Sequence, residues 1–409
     1  MWKKWNLDVN LVSLLGLIGL VISSFVHAAD SVQSVYDDGF WWIGADDKLR
    51  VGGQAQIDTR VSTSGSPEIS TFQIRRARIY GTGVLDEKWG YMVMGKWDRG
   101  TVGLHFAWIE SQHTPFARIR FGQFKEPYSL EAVNSDQYFD FDERSLWMAN
   151  LSQAEDLGAM LYGKFLENHV EYGLGVFNGR GKEKDDTNEA KEVVGQITFL
   201  PLQKSESDWF KGLLISFSGA ITKLEDDLKS SSYTTAAQTK FWTYSSGVTP
   251  LGNKTRASAE LEWNIGSGSL KGGAHQARFD TLQNAAVQDN ITISGWSVSG
   301  SYILTGEKKP RNRPVIPEKS FDPDRGGWGA WELAARYEQL IGDRKALDDG
   351  IMSGAPRTSS YTLGLNCYLN RHMRSMFDFQ NTSFSDPVLV HGTPILDEST
   401  FKFRIQFEF

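Results

Sequence analysis

The sequence predicts an all-β protein, a transmembrane antiparallel β-barrel of about 16 strands with one loop folded into its interior. Two observations lead to this fold class. Apolar and polar residues alternate with a period of two along many short segments, and after the N-terminal region no segment reaches the roughly 18 consecutive apolar residues of a membrane helix. Barrel strands that face lipid on one side and water on the other have this pattern.

The alternation is clearest in the last nine residues of the chain. Aromatic and branched residues occupy one face of this segment, and polar residues occupy the other: Phe401, Phe403, Ile405, Phe407 and Phe409 against Lys402, Arg404, Gln406 and Glu408. Successive side chains of a strand point to opposite faces. A soluble β-sandwich strand could show the same pattern, but a chain that ends on Phe with a fully apolar face is typical of outer-membrane barrels.

The N-terminal segment has the order of features found in signal peptides. Lys3 and Lys4 precede an apolar run over residues 11–26, and Ala28 and Ala29 follow it. The run is roughly 16 residues long, short of the about 20 that a spanning helix needs, which disfavours the alternative of an uncleaved anchor. We therefore expect a cleaved signal peptide over residues 1–28 and a barrel over residues 29–409, exported to the bacterial outer membrane.

The strands and their connections follow from the same alternation. About 17 segments qualify as strands, the one at 239–244 being doubtful, and an even number near 16 is expected for a single-chain bacterial barrel. In one of them, Leu104, Phe106 and Trp108 are assigned to the lipid face. Compact turns are predicted at 86–88, 167–169, 266–268 and 369–371 on the periplasmic side. Longer outward loops are predicted at 179–190, 225–237, 308–326, 342–356 and 386–399.

One connection is unusually long. Residues 126–154 follow the strand that ends near Phe124 and contain several aromatic and acidic residues. A structureless connection of this length is usually functional. We expect it to fold into the lumen and narrow the pore, the alternative being a loop that covers the mouth.

Arginines concentrate around this loop. They are Arg75, Arg76 and Arg78 in one strand, Arg118 and Arg120 in another, and Arg144 in the loop itself. A guanidinium stays charged at physiological pH and offers five donors to oxyanions, so a lumen lined with Arg would attract anions. The same residues could instead form ion pairs with Glu110, Glu131, Asp136 and Glu143. Adjacent Arg75 and Arg76 can both face inward only if the strand contains a bulge; otherwise one lies at a subunit contact.

A second basic cluster comprises Lys308, Lys309, Arg311 and Arg313. On an outer loop these residues could form a basic funnel for anions. They could equally be a solvated charge run or bind lipopolysaccharide phosphates. The pattern alone leaves all three interpretations open.

Composition narrows the function. The net charge of −7 argues against a nucleic-acid partner. Cys367 is the single cysteine and cannot form an intramolecular disulfide. No nucleophile motif or metal-ligand spacing is evident, so we expect no enzymatic activity, no cofactor and no metal. A passive pore is favoured; a general or sugar-permeable pore, and a surface barrel whose loops act as an adhesin or structural element, remain alternatives.

Several blocks of the sequence resemble one family, the phosphate-selective porins O and P. They lie in the family's order and span essentially the mature chain: residues 75–78, 81–83, 89–91, 120–125, 129–131, 301–307, 329–337 and 363–370.

The resemblance implies a homotrimeric, 16-stranded porin in outer-membrane lipid that passes small anions such as phosphate. It also implies that Arg75, Arg76 and Arg144 line the constriction and that Ser135 touches the anion. The chain departs from the phosphate-specific pattern at Ala132, where a lysine is expected, and at Asp136 and Gln137. An anion porin is therefore a safer expectation than a phosphate-specific one.

Overall fold

The computed structural model describes residues 33–37, 39–62, 70–184, 186, 188–224, 232–284 and 287–409. The predicted signal peptide, residues 1–28, lies outside these ranges, as does the start of the predicted loop 225–237. The strands are β1 Gln33–Tyr36, β2 Phe40–Ile43, β3 Lys48–Ser62, β4 Thr71–Leu85, β5 Trp89–Asp98, β6 Thr101–Ser111, β7 Arg118–Lys125, β8 Glu155–Phe165, β9 Val170–Phe177, β10 Glu192–Phe199, β11 Gly212–Lys223, β12 Ser232–Thr234, β13 Lys240–Tyr244, β14 Thr249–Ile265, β15 Gly268–Asn284, β16 Val287–Ile303, β17 Ala330–Ile341, β18 Met352–Gly354, β19 Arg357–Tyr368, β20 Met373–Val390 and β21 Thr393–Glu408.

The helices are short and lie in the connections. They are α1 Leu130–Val133, α2 Leu146–Leu151, α3 Asp208–Lys211 and α4 Lys345–Asp348, with 3-10 turns at Asp136–Tyr138 and Pro323–Arg325. Among the described residues, no helix has both the length and the apolar character required to cross a bilayer.

Sixteen antiparallel strands close into a barrel, as the sequence predicted. They are β3 to β11, β14 to β17 and β19 to β21, and the ring closes where Thr400–Glu408 of β21 pairs with Gln54–Ser62 of β3. Closure satisfies the backbone polar groups that lipid could not. The doubtful strand at 239–244 is β13, which lies outside the wall in a small sheet with β12 and β18. The β1–β2 hairpin pairs with residues 48–51 of β3.

The last strand has the predicted faces. Phe401 is half exposed on the outside, whereas Lys402 and Arg404 are buried in the interior. The prediction is wrong for β6. The β5–β6 register shifts between Met94 and Gly95 and leaves His105 as a bulge, so Phe106 and Trp108 line the interior instead of facing lipid. A bulge of this kind reverses the alternation beyond it.

Two predicted outward loops are corrected. Segment 304–329 lies at the end of the barrel that carries the short turns: the Lys309 amide donates to the carbonyl of Gly266 at 2.8 Å, and the Phe321 amide donates to that of Leu369 at 2.6 Å. Segment 386–399 is mostly strand, with β20 and β21 joined by a tight turn at residues 391–392. Val388 pairs with Ile395 and Val390 with Thr393 across this turn.

The long connection 126–154 folds into the barrel, as predicted, and is called the constriction loop below. The amide of Glu126 donates to the carbonyl of Ala154 and closes its base. Trp147 of α2 stacks on His275 of β15, far around the wall. The amide of Leu146 donates to Glu338 of β17 at 2.7 Å. The loop therefore crosses the lumen and divides it.

Candidate functional site

A bulge in β4 brings adjacent arginines into the lumen. Gln56 of β3 pairs with Arg76 and Ile57 pairs with Ile74, which leaves Arg75 without a partner in the register. Both guanidinium groups consequently reach the constriction loop. The bulge is one of the two outcomes expected for adjacent Arg75 and Arg76, the other being a subunit contact.

Carboxylates of the constriction loop meet these arginines. Glu143 accepts two hydrogen bonds from Arg75, at 2.5 and 2.9 Å. Asp136 lies 2.9 Å from Nε of Arg76 and accepts from Arg78 at 2.8 Å. Arg76 is only 2% exposed. These arginines therefore attach the loop to the wall, the ion-pair alternative that the sequence left open.

The charges of the loop are stabilised by this arrangement. Burial alone would raise the pKa of Asp136, but Arg78 and Arg76 hold it well below its usual value of 3.8. Burial likewise opposes ionisation of Glu143, and Arg75 and Arg76 hold the pKa of that carboxyl well below 4.5. Both side chains are thus anions at neutral pH.

Arg144 differs from the three wall arginines. Its guanidinium lies 5.0 Å from the ring centroid of Phe139. Its Nε is buried without a hydrogen-bond partner, and within the described ranges the side chain forms no ion pair. Among the predicted constriction arginines, it retains the most capacity to bind an incoming anion.

Ser135 lies where two loops meet. Its amide donates to Oδ1 of Asn312 at 2.7 Å, and its hydroxyl donates to Gln137 at 3.0 Å. Ala132, at the position where a lysine was expected, is fully buried. Lys125 lies close by, with Nζ donating to the carbonyls of Val133 and Asn134. The sequence reasoning placed Lys125 within a family block but did not select it as a site residue.

A large chamber lies on the short-turn side of the constriction loop. Its volume is about 1170 Å³, and it extends from Ser135 and Gln137 to the turn at Arg371 and His372. Its lining includes eight Lys or Arg residues against two Glu residues, Glu171 and Glu408. The cations are Arg50, Arg118, Arg120, Lys125, Lys164, Arg311, Arg313 and Arg371. We call this space the cationic chamber.

The two cations predicted on β7 both line the chamber but differ in how far they are neutralised. Arg120 donates to Glu110 at 2.8 Å and lies over the ring of Trp108 at 4.1 Å. Arg118 lies 3.9 Å from Glu110, and its side chain is one-third exposed. The charge of Arg118 is therefore less neutralised than that of Arg120 and is more exposed to the water of the lumen.

The predicted basic cluster does not form a funnel at the outer mouth. Because segment 304–329 lies at the short-turn end, these residues enter the barrel from that side. Lys309 is buried between Asp140 of the constriction loop, at 2.7 Å, and Glu332 of the wall. Arg311 lies 3.4 Å from Glu171, whereas Arg313 forms no hydrogen bond or ion pair with any described residue. The cluster thus divides into one buried anchor and two chamber cations, while Lys308 does not line the chamber.

Three acidic groups approach one another closely enough to hold a metal ion. The carboxylates of Asp58, Asp142 and Glu143 have oxygens within 4.8 Å of one another. Each already faces a cation: Arg404 at 2.6 Å from Asp58, Lys402 at 2.9 Å from Asp142, and Arg75 for Glu143. Side-chain cations neutralise the group, so we interpret it as part of the attachment of the loop.

Comparison with known proteins agrees with this architecture. The sequence profile described as phosphate-selective porin O and P matches residues 49–409. No curated protein matches the sequence significantly. Similar solved structures include OmpF of Salmonella typhi in complex with daunomycin (TM-score 0.57, 12% identity, 92% of this chain and 100% of that one) and an anion-selective porin from Comamonas acidovorans (0.57, 13%, 89% and 100%). In-vitro folded OmpT of Vibrio cholerae, in its trimer form, gives 0.56, 13%, 89% and 99%. At these identities the likeness shows the fold.

Proposed function

The chain belongs to the family of phosphate-selective porins O and P, and from this premise we propose that its outer-membrane channel conducts small anions, such as phosphate, by passive diffusion. The observation that carries the proposal is the charge of the cationic chamber, where eight Lys and Arg residues outnumber four carboxylates: Glu171 and Glu408 in its lining, and Glu110 and Asp37 as ion-pair partners. A water-filled space lined by fixed cations raises the local concentration of anions and lowers that of cations. The similar porin from Comamonas acidovorans is itself anion-selective.

The constriction contributes in a second way. We assign to Arg75, Arg76 and Arg78 the role of fixing the loop, because Asp136 and Glu143 neutralise them. Arg144, Ser135 and Lys125 are the groups proposed to meet an anion at the loop. Lys125 supplies a cation near the position where Ala132 replaces the expected lysine. This arrangement supports passage of several small anions more than a strict preference for phosphate.

Assembly and export follow from the same proposal. We expect a homotrimer, since a trimeric form is known for the similar OmpT fold, and a signal peptide cleaved after residue 28. Outward residues such as Phe72, Leu363 and Phe401 are well exposed on the described surface and would contact lipid or a neighbouring subunit.

A sugar-permeable pore is the second candidate. The observation that favours it is the presence of aromatic residues on the lumen side, among them Tyr80, Phe106 and Trp108. Sugars stack on such rings, but they gain little from an excess of positive charge. The charge of the chamber therefore favours the anion channel.

The test is ion selectivity in planar bilayers. With a tenfold KCl gradient across the purified channel, we expect the reversal potential to have the sign of chloride preference. The preference for chloride should weaken as the salt concentration rises, because the screening length falls from about 30 Å at 0.01 M to about 3 Å at 1 M. A reversal potential of the opposite sign would refute the proposal. Equal permeability to both ions, together with block by a maltose series, would favour the sugar pore.

A further inference from the structure

The wall of the cationic chamber is apolar as well as charged. Met92 and Met94 of β5, Phe106 and Trp108 of β6, and Met160 and Tyr162 of β8 all line it. The interior of a porin is normally polar. Inorganic anions are strongly hydrated and gain nothing from a wall of thioethers and rings. The apolar part of the chamber therefore needs another explanation.

The rings and the cations are interleaved in one region. The guanidinium of Arg120 lies 4.1 Å from the ring centroid of Trp108 and 5.0 Å from that of Tyr162. Glu110 accepts from Arg120 and from the hydroxyl of Tyr162. These contacts fix the aromatic surface, so it is formed before any solute arrives. A preformed surface spends little of its binding free energy on ordering side chains.

Positive charge that carboxylates neutralise only in part lines the same chamber. Arg118 is the register partner of Tyr162, and its side chain is one-third exposed. Arg313 reaches the same chamber from segment 304–329 and has no ion-pair partner among the described residues. Because Glu110 largely neutralises Arg120, Arg118 and Arg313 are the cations with capacity for a carboxylate. A planar guanidinium matches the two oxygens of a carboxylate.

We propose that the cationic chamber is a binding site for aromatic carboxylates, with the ring against Trp108 and the adjacent methionines and the carboxylate at Arg118, while Arg313 adds positive charge to the same chamber. This inference rests on the proposed anion channel and names a solute class for it. The methionines adapt to rings of different shape. At about 1170 Å³ the chamber exceeds the roughly 300–1000 Å³ of sites that enclose a small ligand, so water surrounds the bound anion and allows it to leave.

Three probes separate the two halves of the proposed ligand. Benzoate carries a ring and a carboxylate, acetate carries the carboxylate alone, and benzyl alcohol carries the ring alone. We expect benzoate to reduce single-channel chloride current at about one-tenth of the acetate concentration, since aromatic contact and apolar burial together add about a factor of ten. Benzyl alcohol should leave the current unchanged at the same concentrations.

Substitutions locate the effect. Trp108→Ala should remove the advantage of benzoate, so that benzoate and acetate reach half block of the current at similar concentrations. Trp296→Ala should not, because Trp296 lies on the outer surface against Tyr337. Arg118→Gln, which removes the charge and keeps a polar amide, should weaken block by both carboxylates. The KCl conductance of each variant verifies that it inserts into the bilayer. The comparison of the three probes on the wild-type channel tests the proposal even if no variant inserts.

The outcomes distinguish the two proposals. Chloride preference with equal block by benzoate and acetate would overturn the aromatic site and leave the anion channel intact. Cation preference would overturn both. Block by benzyl alcohol as strong as that by benzoate would also overturn the site as proposed, since the charge would then play no part.

Discussion

The lumen contains two zones that are rich in arginine and differ in how those arginines are used. At the constriction, Arg75, Arg76 and Arg78 each meet a carboxylate of the inward loop at 2.5 to 2.9 Å. In the cationic chamber, eight cations outnumber the four carboxylates that line the chamber or pair with its cations, and Arg313 has no ion-pair partner among the described residues. The same residue type therefore fixes structure in one zone and supplies net positive charge in the other.

The difference teaches that the partner of an arginine, and not the arginine itself, decides its role. A buried pair contributes little net charge to the pore, but removing one member leaves an uncompensated ion and is costly. An exposed cation in the lumen adds to the electrostatic potential of the pore, and its removal leaves no unpaired buried ion behind. Substitutions in the first zone should therefore change the shape of the pore, and those in the second should change its selectivity.

The largest expected effect follows from Asp136→Asn. This substitution leaves Arg76 without its closest carboxylate and takes one of two from Arg78, a change that typically costs about 3 to 5 kcal/mol for a buried pair. The constriction loop should detach at this point. We expect a larger single-channel conductance and frequent current transitions, measured in 1 M KCl.

The matched control is Asp98→Asn. Asp98 accepts from the same Arg78 at 2.9 Å but belongs to β5 and not to the loop. The substitution Asp98→Asn should therefore leave the single-channel conductance close to that of the wild type. Equal effects of the two substitutions would mean that the loop is not held by Asp136.

A smaller effect is expected from Arg118→Gln combined with Arg313→Gln. Two lumenal charges are lost while the loop contacts remain, so the conductance in 1 M KCl should change little. The reversal potential in a KCl gradient at 0.01 to 0.1 M should move toward zero, since a charge at about 4 Å is worth about 1 kcal/mol in water.

Arg325→Gln serves as the control for this pair. Arg325 lies on the same segment, 304–329, but is 88% exposed and does not line the chamber. An unchanged reversal potential in the double variant, or an equal shift in Arg325→Gln, would contradict the assignment of selectivity to the chamber.

The features that the sequence predicts well are those set by local periodicity. The faces of the last strand follow from its alternation, and the bulge at Arg75 is one of the two outcomes predicted for adjacent Arg75 and Arg76. The lipid-facing assignment of Phe106 and Trp108 failed because the bulge at His105 has no signature in composition. That failure concealed the aromatic wall of the chamber.

The predicted position of segment 304–329 was wrong for another reason. In an antiparallel barrel each spanning strand moves the chain to the opposite end. Since β17 separates segment 308–326 from 342–356, the two connections cannot both lie outside. Polar composition suggested that both connections lie at the outer end of the barrel, and counting the strands between them corrects that prediction. The partners of Asp136 and Asp140, by contrast, lie far apart along the chain, and no local pattern predicts them.

The smallest effect expected is that of pH, and it separates the zones without substitution. The pKa values of Asp136 and Glu143 are held below their usual 3.8 and 4.5, so their ion pairs contribute fully above those usual values and lose their contribution as pH falls through the lower, folded ones. Loss of these two ion pairs should therefore raise the single-channel conductance, with noisier current, only below about pH 4. A change between pH 8 and 5 is assigned to Glu126 at the base of the loop, because burial raises the pKa of that carboxyl to about 7 and it pairs with Arg256 of the wall. Conductance is the appropriate readout, because these two carboxylates act on the pore through the position of the constriction loop. In Asp136→Asn the acid transition should shrink, since one of the two titrating contacts is already lost. A conductance that rises between pH 7 and 5 would show that groups other than these two carboxylates hold the loop.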